Sequence, residues 1–167
     1  AEDGHPVDVR GDSLSGAIAQ ADLFIEAIVE NMAAKAALLD EVRQHGSSDL
    51  IIASNTSSLS IGEMGKEFGD PARVIGMHFF NPPTKMRLVE VIRGAATSDA
   101  VHEKTLEIVE GIGKTAITCA DSPNFVVNRV CRPLYYEAQL LVRQGTGAAV
   151  ADAFAPSTLG HRMWPMM

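Results

Sequence analysis

Residues 74–93 read Val74-Ile-Gly-Met-His-Phe-Phe-Asn-Pro-Pro-Thr-Lys-Met-Arg-Leu-Val-Glu-Val-Ile-Arg93. Two apolar runs of strand length, one from Val74 and one from Leu88, flank Asn81-Pro82-Pro83, and no helix fits between them. Strands joined that way form a hairpin-like or antiparallel excursion, here placed near the edge of a sheet. Each run is interrupted by one polar residue, His78 in the first and Glu90 in the second.

On both sides of this stretch the chain alternates between strand and helix. Upstream, Asp22-Leu-Phe-Ile-Glu-Ala-Ile28 is a short strand, and Met32, Lys35, Ala36, Leu39 and Val42 recur at helical spacing up to a stop at Gly46. Leu50-Ile-Ile-Ala-Ser54 reads as a buried strand, and Ser60-Ile-Gly-Glu63 has capping-box spacing for a short helix ending before Pro71. Downstream, Ser98 caps a helix running to Gly111, Thr115-Ala-Ile-Thr-Cys-Ala120 is a strand, and a long helix spans about Phe125 to Gln144. Pro133 in that helix is either a kink or near the first turns. Residues 1–13 are aperiodic and read as a loop or frayed terminus. This alternation predicts an α/β architecture with a largely parallel sheet.

Bulk properties narrow the function classes. The 167 residues suffice for one domain or one and part of a second, with 46% hydrophobic and 21% charged residues, as in an ordinary soluble globular protein. A formal net charge of −7 supplies no basic footprint for nucleic acid or anionic membrane. No apolar run approaches the roughly 20 residues needed to cross a bilayer. The two cysteines, Cys119 and Cys131, are far apart and form no metal-ligand pattern, which suits reduced thiols in a cytoplasmic protein.

Several motifs fail. Gly111-Ile-Gly-Lys-Thr115 resembles the tail of a P-loop, but position 108 is Ile rather than Gly. The order is also helix then strand, so the glycines read as a helix C-cap. There is no Gly-x-Gly-x-x-Gly and no Gly-x-Ser-x-Gly in the chain.

Four polar residues stand at strand ends or inside an apolar helix: Ser57, His78, Glu90 and Asn128. Ligands of open α/β sheets gather beyond the carboxyl ends of strands. Each residue also has a plain structural explanation. A strand-end His is more often a satisfied structural group, a Glu in Val-Glu-Val usually faces solvent on an edge strand, Ser57 suits a turn, and Asn128 suits an exposed helix face. The combination of His78 with Glu90 is more informative. A carboxylate on one imidazole nitrogen fixes the tautomer and raises the basicity of the other, as a general base requires.

Five blocks carry a resemblance: Ile25-Glu-Ala-Ile-Val-Glu30, Ser54-Asn-Thr-Ser-Ser-Leu-Ser-Ile61, Val74 to Pro82, Leu88-Val-Glu-Val-Ile92 and Phe125-Val-Val-Asn-Arg129. In order and spacing they resemble the NAD-dependent L-3-hydroxyacyl-CoA dehydrogenase family, including its 3-hydroxybutyryl-CoA members, over about Ala21 to Gly145. The resemblance implies that His78 is the base for the substrate hydroxyl and Glu90 its partner. It implies that Ser57 and Asn128 bind or polarise the substrate oxygen, and that Glu30, Lys35, Ser57 and Asn81 contact NAD. The implied substrate is an L-3-hydroxyacyl-CoA, oxidised to the 3-ketoacyl-CoA in β-oxidation or a related pathway.

Against the family pattern, the first βαβ unit with its glycine turn and ribose-binding acid is absent. Asn124 replaces a Gly, and Trp164 in His161-Arg-Met-Trp-Pro-Met166 stands where Gly is expected. The expectation is therefore a chain truncated at both ends. Residues 1–121 would form a partial, doubly wound Rossmann-like domain, and 122–167 the start of an all-α substrate and dimerisation domain. A homodimer is expected for the full-length family member. Two rival readings are a non-catalytic remnant or structural protein of the same fold, and a dehydrogenase of sugar acids.

Overall fold

The computed structural model describes residues 13–150 and Ala153. Of these, the residues up to Pro123 form one compact unit and those from Asn124 onward a second. The sequence expectations for residues 1–12 and for 154–167, including the Trp164 segment, lie outside the described residues.

The first unit opens with α1 (Leu14–Gln20), capped by Ser13, whose hydroxyl accepts from the Gly16 amide. Sequence periodicity gave no warning of so short a helix. Then follow β1 (Leu23–Glu26), α2 (Met32–His45), β2 (Ile51–Ser54), α3 (Ile61–Phe68), β3 (Val74–Phe79), β4 (Leu88–Arg93), α4 (Asp99–Gly111) and β5 (Thr115–Ala120), with a 3-10 turn over Pro71–Arg73. Three more helices start on side-chain caps: Asn31, Ser60 and Ser98 accept from the amides of Ala34, Glu63 and Val101. Each satisfies an amide that the helix leaves without an internal partner. α4 ends on the left-handed Gly113, which lets the Lys114 amide turn back to the Val109 carbonyl, as the helix-then-strand order around Gly111 predicts.

The five strands form one sheet in the order β1-β2-β3-β4-β5. β1, β2 and β3 run parallel, β4 runs antiparallel to β3, and β5 runs parallel to β4. The antiparallel pairing across Asn81-Pro82-Pro83 matches the sequence reading, and so does its placement near an edge, one strand in from it. β4 pairs on both sides, and the edge of the sheet beyond it belongs to β5. β2, β3 and β4 are buried on both faces, which explains their nearly unbroken apolar runs. One face packs Ile51, Ala53, Ile75, Met77, Val89 and Val91 against Val109 of α4. On the other, Ile61 of α3 lies over Gly76, where a Cβ would come within 3.1 Å of it and 2.8 Å of Ile92. That second face carries Glu26, Ser54, Gly76 and Ile92 in one lateral row, with His78 and Glu90 in the next.

The second unit contains α5 (Val127–Arg143), slightly shorter than the span read from the sequence. Pro133 lies inside it, within its second turn. Asn124 precedes it in the left-handed region at φ 64°, a conformation Asn tolerates better than most residues, and Arg132 donates to its side-chain oxygen at 2.8 Å. Phe125 also has a positive φ of 46°, unusual for an aromatic residue.

Candidate active site

Strand pairing builds the central feature. The register places His78 directly opposite Glu90, and with both side chains on the same face the imidazole Nδ1 meets Glu90 Oε2 at 2.7 Å. Glu90 is fully buried and His78 nearly so, which rules out a solvent-face role for the Val-Glu-Val run. With the carboxylate ionised, Nδ1 carries the proton and donates it, and proton transfer falls to Nε2; the tautomer follows from the partner. Glu90 Oε1 lies 3.8 Å from the Cys119 thiol, a weak donor on β5. The His78 ring meets Phe80 edge-on at 4.8 Å between centroids.

A second constellation lies beyond the carboxyl ends of β1 and β2. Glu30 Oε1 accepts from the Thr56 hydroxyl at 2.5 Å, the Ser57 amide at 3.0 Å, the Ser58 amide at 3.2 Å and the Ser58 hydroxyl at 3.1 Å. Burial alone would raise the Glu30 pKa. The bonds from Thr56, Ser57 and Ser58, with the Lys35 charge, outweigh that and hold the carboxyl below its ordinary range. Lys35 is buried, and its ammonium bonds both oxygens of Glu26 at 2.8 and 2.7 Å and lies 3.6 Å from Glu30.

The site residues named from the sequence thus fall into groups. His78 and Glu90 meet on the β3–β4 pair. Glu30, Lys35 and Ser57 converge on the loops after β1 and β2, and those loops reach β3 because Asn55 accepts from the Phe79 amide at 2.9 Å. Asn81 is exposed just beyond β3, in the cis Asn81–Pro82 turn. Lys114 holds that turn's far side, donating to the Pro83 and Met86 carbonyls at 2.6 and 2.9 Å. The lysine of the failed P-loop motif is therefore a loop clamp. Asn128 lies in the first turn of α5, in the second unit.

Sequence reasoning missed Glu26, Ser54, Asn55, Thr56 and Asp121. Asp121 receives the Ser60 hydroxyl and the Ile61 and Gly62 amides at 2.8–3.0 Å, so α3 is capped from 61 residues away as well as by Ser60. The one available signal was Glu26 itself, an acid inside an apolar strand. Among the described residues no cluster of His, Cys, Asp or Glu suits a metal ion, and no helix is long and apolar enough to cross a membrane.

The donor set can be tested against a dinucleotide. Ile28 and Val29 are exposed apolar residues next to the Glu30 carboxylate, and Asn81 offers an exposed amide at the neighbouring strand end. A flat ring with an attached ribose fits that mixture of apolar surface and hydrogen-bonding groups. Pyrophosphate needs amide donors of a glycine turn, and Gly-x-Gly-x-x-Gly does not occur in the sequence.

Comparison with known proteins bears on the same region. Residues 7–122 match the family described as "3-hydroxyacyl-CoA dehydrogenase, NAD binding domain". A probable 3-hydroxybutyryl-CoA dehydrogenase of Bacillus subtilis is 44% identical over 147 residues, covering 87% of this chain and 51% of that protein. The crystal structure of (S)-3-hydroxybutyryl-CoA dehydrogenase from Ralstonia eutropha superimposes with a TM-score of 0.84 at 37% identity, over 89% of this chain and 53% of the other. An NAD+-dependent dismutase, 5-formyl-3-hydroxy-2-methylpyridine-4-carboxylic acid 5-dehydrogenase, superimposes with a TM-score of 0.85 at 32% identity, over 90% and 49%. The chain spans about half the length of the curated relatives it matches. With a mixed five-stranded sheet of Rossmann-like type and a family match over most of its length, the chain belongs to the NAD-binding domain family of 3-hydroxyacyl-CoA dehydrogenases.

Proposed function

We propose that this chain supplies the catalytic base and the nicotinamide side of the cofactor site in an enzyme that oxidises an L-3-hydroxyacyl-CoA to the 3-ketoacyl-CoA. The observation that carries the reading is the buried His78–Glu90 contact at 2.7 Å. NAD, when bound, supplies the hydride acceptor. Glu90 holds the imidazole with Nε2 as the base, and Nε2 removes the proton of the substrate 3-hydroxyl. In the reverse direction the imidazolium returns that proton to the ketone oxygen. Ser57 hydrogen-bonds the same oxygen and stabilises charge on it; for Asn128 a role in binding or polarising substrate oxygen rests on the family resemblance of Phe125-Val-Val-Asn-Arg129 alone. Glu30, Lys35, Ser57 and Asn81 form the nicotinamide-ribose contacts; Lys35, being buried, acts from beneath the loop through Glu30.

In the same proposal residues 1–121 are the cofactor-binding portion and 122–167 begin the helical substrate and dimerisation portion. The complete enzyme works as a cytoplasmic homodimer in fatty-acid or related CoA-thioester catabolism. The names of the Bacillus and Ralstonia relatives support the CoA-thioester substrate. A second reading, a substrate that is not a CoA thioester, is favoured by the likeness to the pyridine-carboxylic acid dehydrogenase.

The test is to mix the chain with acetoacetyl-CoA and NADH and follow NADH absorbance. Turnover that disappears in His78→Ala supports the proposal, and turnover that survives it rules out the assigned base. Activity on hydroxylated acids without CoA, and none on the thioester, would select the second reading.

A further inference from the structure

We infer that Glu26 is a positioning residue for the loop that carries Ser57, acting through Ser54 and Lys35; this rests on the reading of Ser57 and Glu30 as site residues. Glu26 and Ser54 are register partners at the ends of β1 and β2, so their side chains emerge side by side on one face. Both are buried, and the Ser54 hydroxyl donates to Glu26 Oε1. The same hydroxyl oxygen accepts from the Thr56 amide at 3.1 Å, passing the position of Glu26 into the next loop. On its other side Glu26 fixes Lys35 with two bonds and accepts from the Ile28 amide at 3.2 Å. Lys35 in turn donates to the Ile28 carbonyl at 3.4 Å and lies 3.6 Å from Glu30 Oε2.

These contacts close a ring. It runs from Glu26 to Ser54, to Thr56, to Glu30, to Lys35 and back to Glu26. Ser57 sits on its rim, its amide bonded to the Glu30 carboxylate. Two loops following different strands thereby take one fixed relation to each other. A buried ion pair is a poor means of stabilising a fold, since apolar residues of equal volume commonly serve as well or better. Its advantage is direction: charged hydrogen bonds fix the angle at which loops leave the sheet, as a site needing its first contacts preorganised requires. No other buried Lys–Glu pair occurs among the described residues.

The ring is tested by amide hydrogen exchange on the isotope-labelled chain and on Glu26→Gln and Ser54→Ala, with NADH titration of all three. Ser54→Ala leaves the Glu26–Lys35 pair in place, so it keeps the measurement meaningful if Glu26→Gln folds poorly. The expected result is exchange at Thr56, Ser57 and Ser58 that rises about tenfold while core amides of Ile75 and Val91 stay unchanged. The NADH dissociation constant rises in parallel. Unchanged loop exchange in both variants overturns the inference. So does exchange that rises equally in loop and core, which marks a merely structural role. Should the loop respond while the unmutated chain binds no NADH, Glu26 keeps its positioning role and the cofactor reading of this chain fails instead.

Discussion

The β3–β4 pair and the loops after β1 and β2 hold their polar groups by opposite means. On the β3–β4 pair, His78 and Glu90 meet because the ladder register makes them opposite neighbours on one face, within two strands buried on both sides. Backbone pairing fixes the geometry, and little besides the two side chains is needed. Past β1 and β2 the ladder gives out after the Asn55 amide's bond to the Glu26 carbonyl, and a side chain takes over: one carboxylate, Glu30, gathers Thr56, Ser57 and Ser58. The first arrangement is rigid and depends on packing. The second is more exposed, depends on charge, and should respond to pH.

The largest effect expected on the rigid side is chemical. Glu90→Gln preserves size and burial but replaces an acceptor with a group that also donates, so the imidazole loses the partner that selects its tautomer. Turnover should fall about a hundredfold or more while the chain stays folded, measured by NADH absorbance beside circular dichroism. A smaller loss than tenfold would show that register alone, without the carboxylate, orients His78. Next comes packing. Gly76→Val places branched carbon atoms where even a Cβ lies 2.8 Å from Ile92, with Ile61 at 3.1 Å. Stability should drop by about 1–3 kcal/mol in urea unfolding, because an overpacked core must shift side chains or backbone. An unchanged midpoint would show that the sheet face beneath α3 is looser than the contacts imply.

The two regions also differ in how far they could be read from sequence. His78 and Glu90 were legible because period-two alternation and a short Pro-containing connection leave few ways to pair two strands. The interior position of β4 was not, since pairing to β5 is a contact between separate segments on which a local pattern is silent. Glu26 and Ser54, and the pairing of Glu26 with Lys35, escaped for a related reason. Helical spacing put Lys35 on the inward face of α2, but periodicity identifies a face and not a partner. Asp121 capping α3 is likewise a long-range choice, made by the fold after Ser60 had already marked the helix start.

On the loop side, acid is the probe. The Glu30 carboxyl is held below its ordinary range, so the folded state prefers it ionised. That preference contributes stability in full above the unfolded carboxylate value of about 4.3, and it is lost as pH falls through the lowered folded value. Glu30→Gln should remove this acid-side slope, seen as a flatter unfolding midpoint below roughly pH 4.5. The same titration should leave the Glu90→Gln chain's slope from Glu30 intact. If both substitutions flatten the curve equally, the two regions are one electrostatic unit and the contrast between them fails.

The smallest effect comes from a histidine outside both regions. His102 on α4 bonds the Thr118 hydroxyl at 2.9 Å, and its pKa is lowered, first by burial and then by the Arg93 charge, against opposing pulls from Asp99 and Glu103. A lowered imidazole value has the same sign as the Glu30 case, because the unfolded chain again binds the proton more readily, but it acts in a higher pH window. Above the unfolded value of about 6.5 both states are neutral and the group is silent. As pH falls below that value the unfolded chain takes up the proton first, so stability declines until the folded group is protonated as well. His102→Gln removes the proton site and should flatten the stability curve between roughly pH 7 and 5, leaving the acid-side slope of Glu30 below it. The two windows do not overlap, so one pH series of unfolding midpoints separates them. A decline between roughly pH 7 and 5 that persists unchanged in His102→Gln would show that His102 does not carry it.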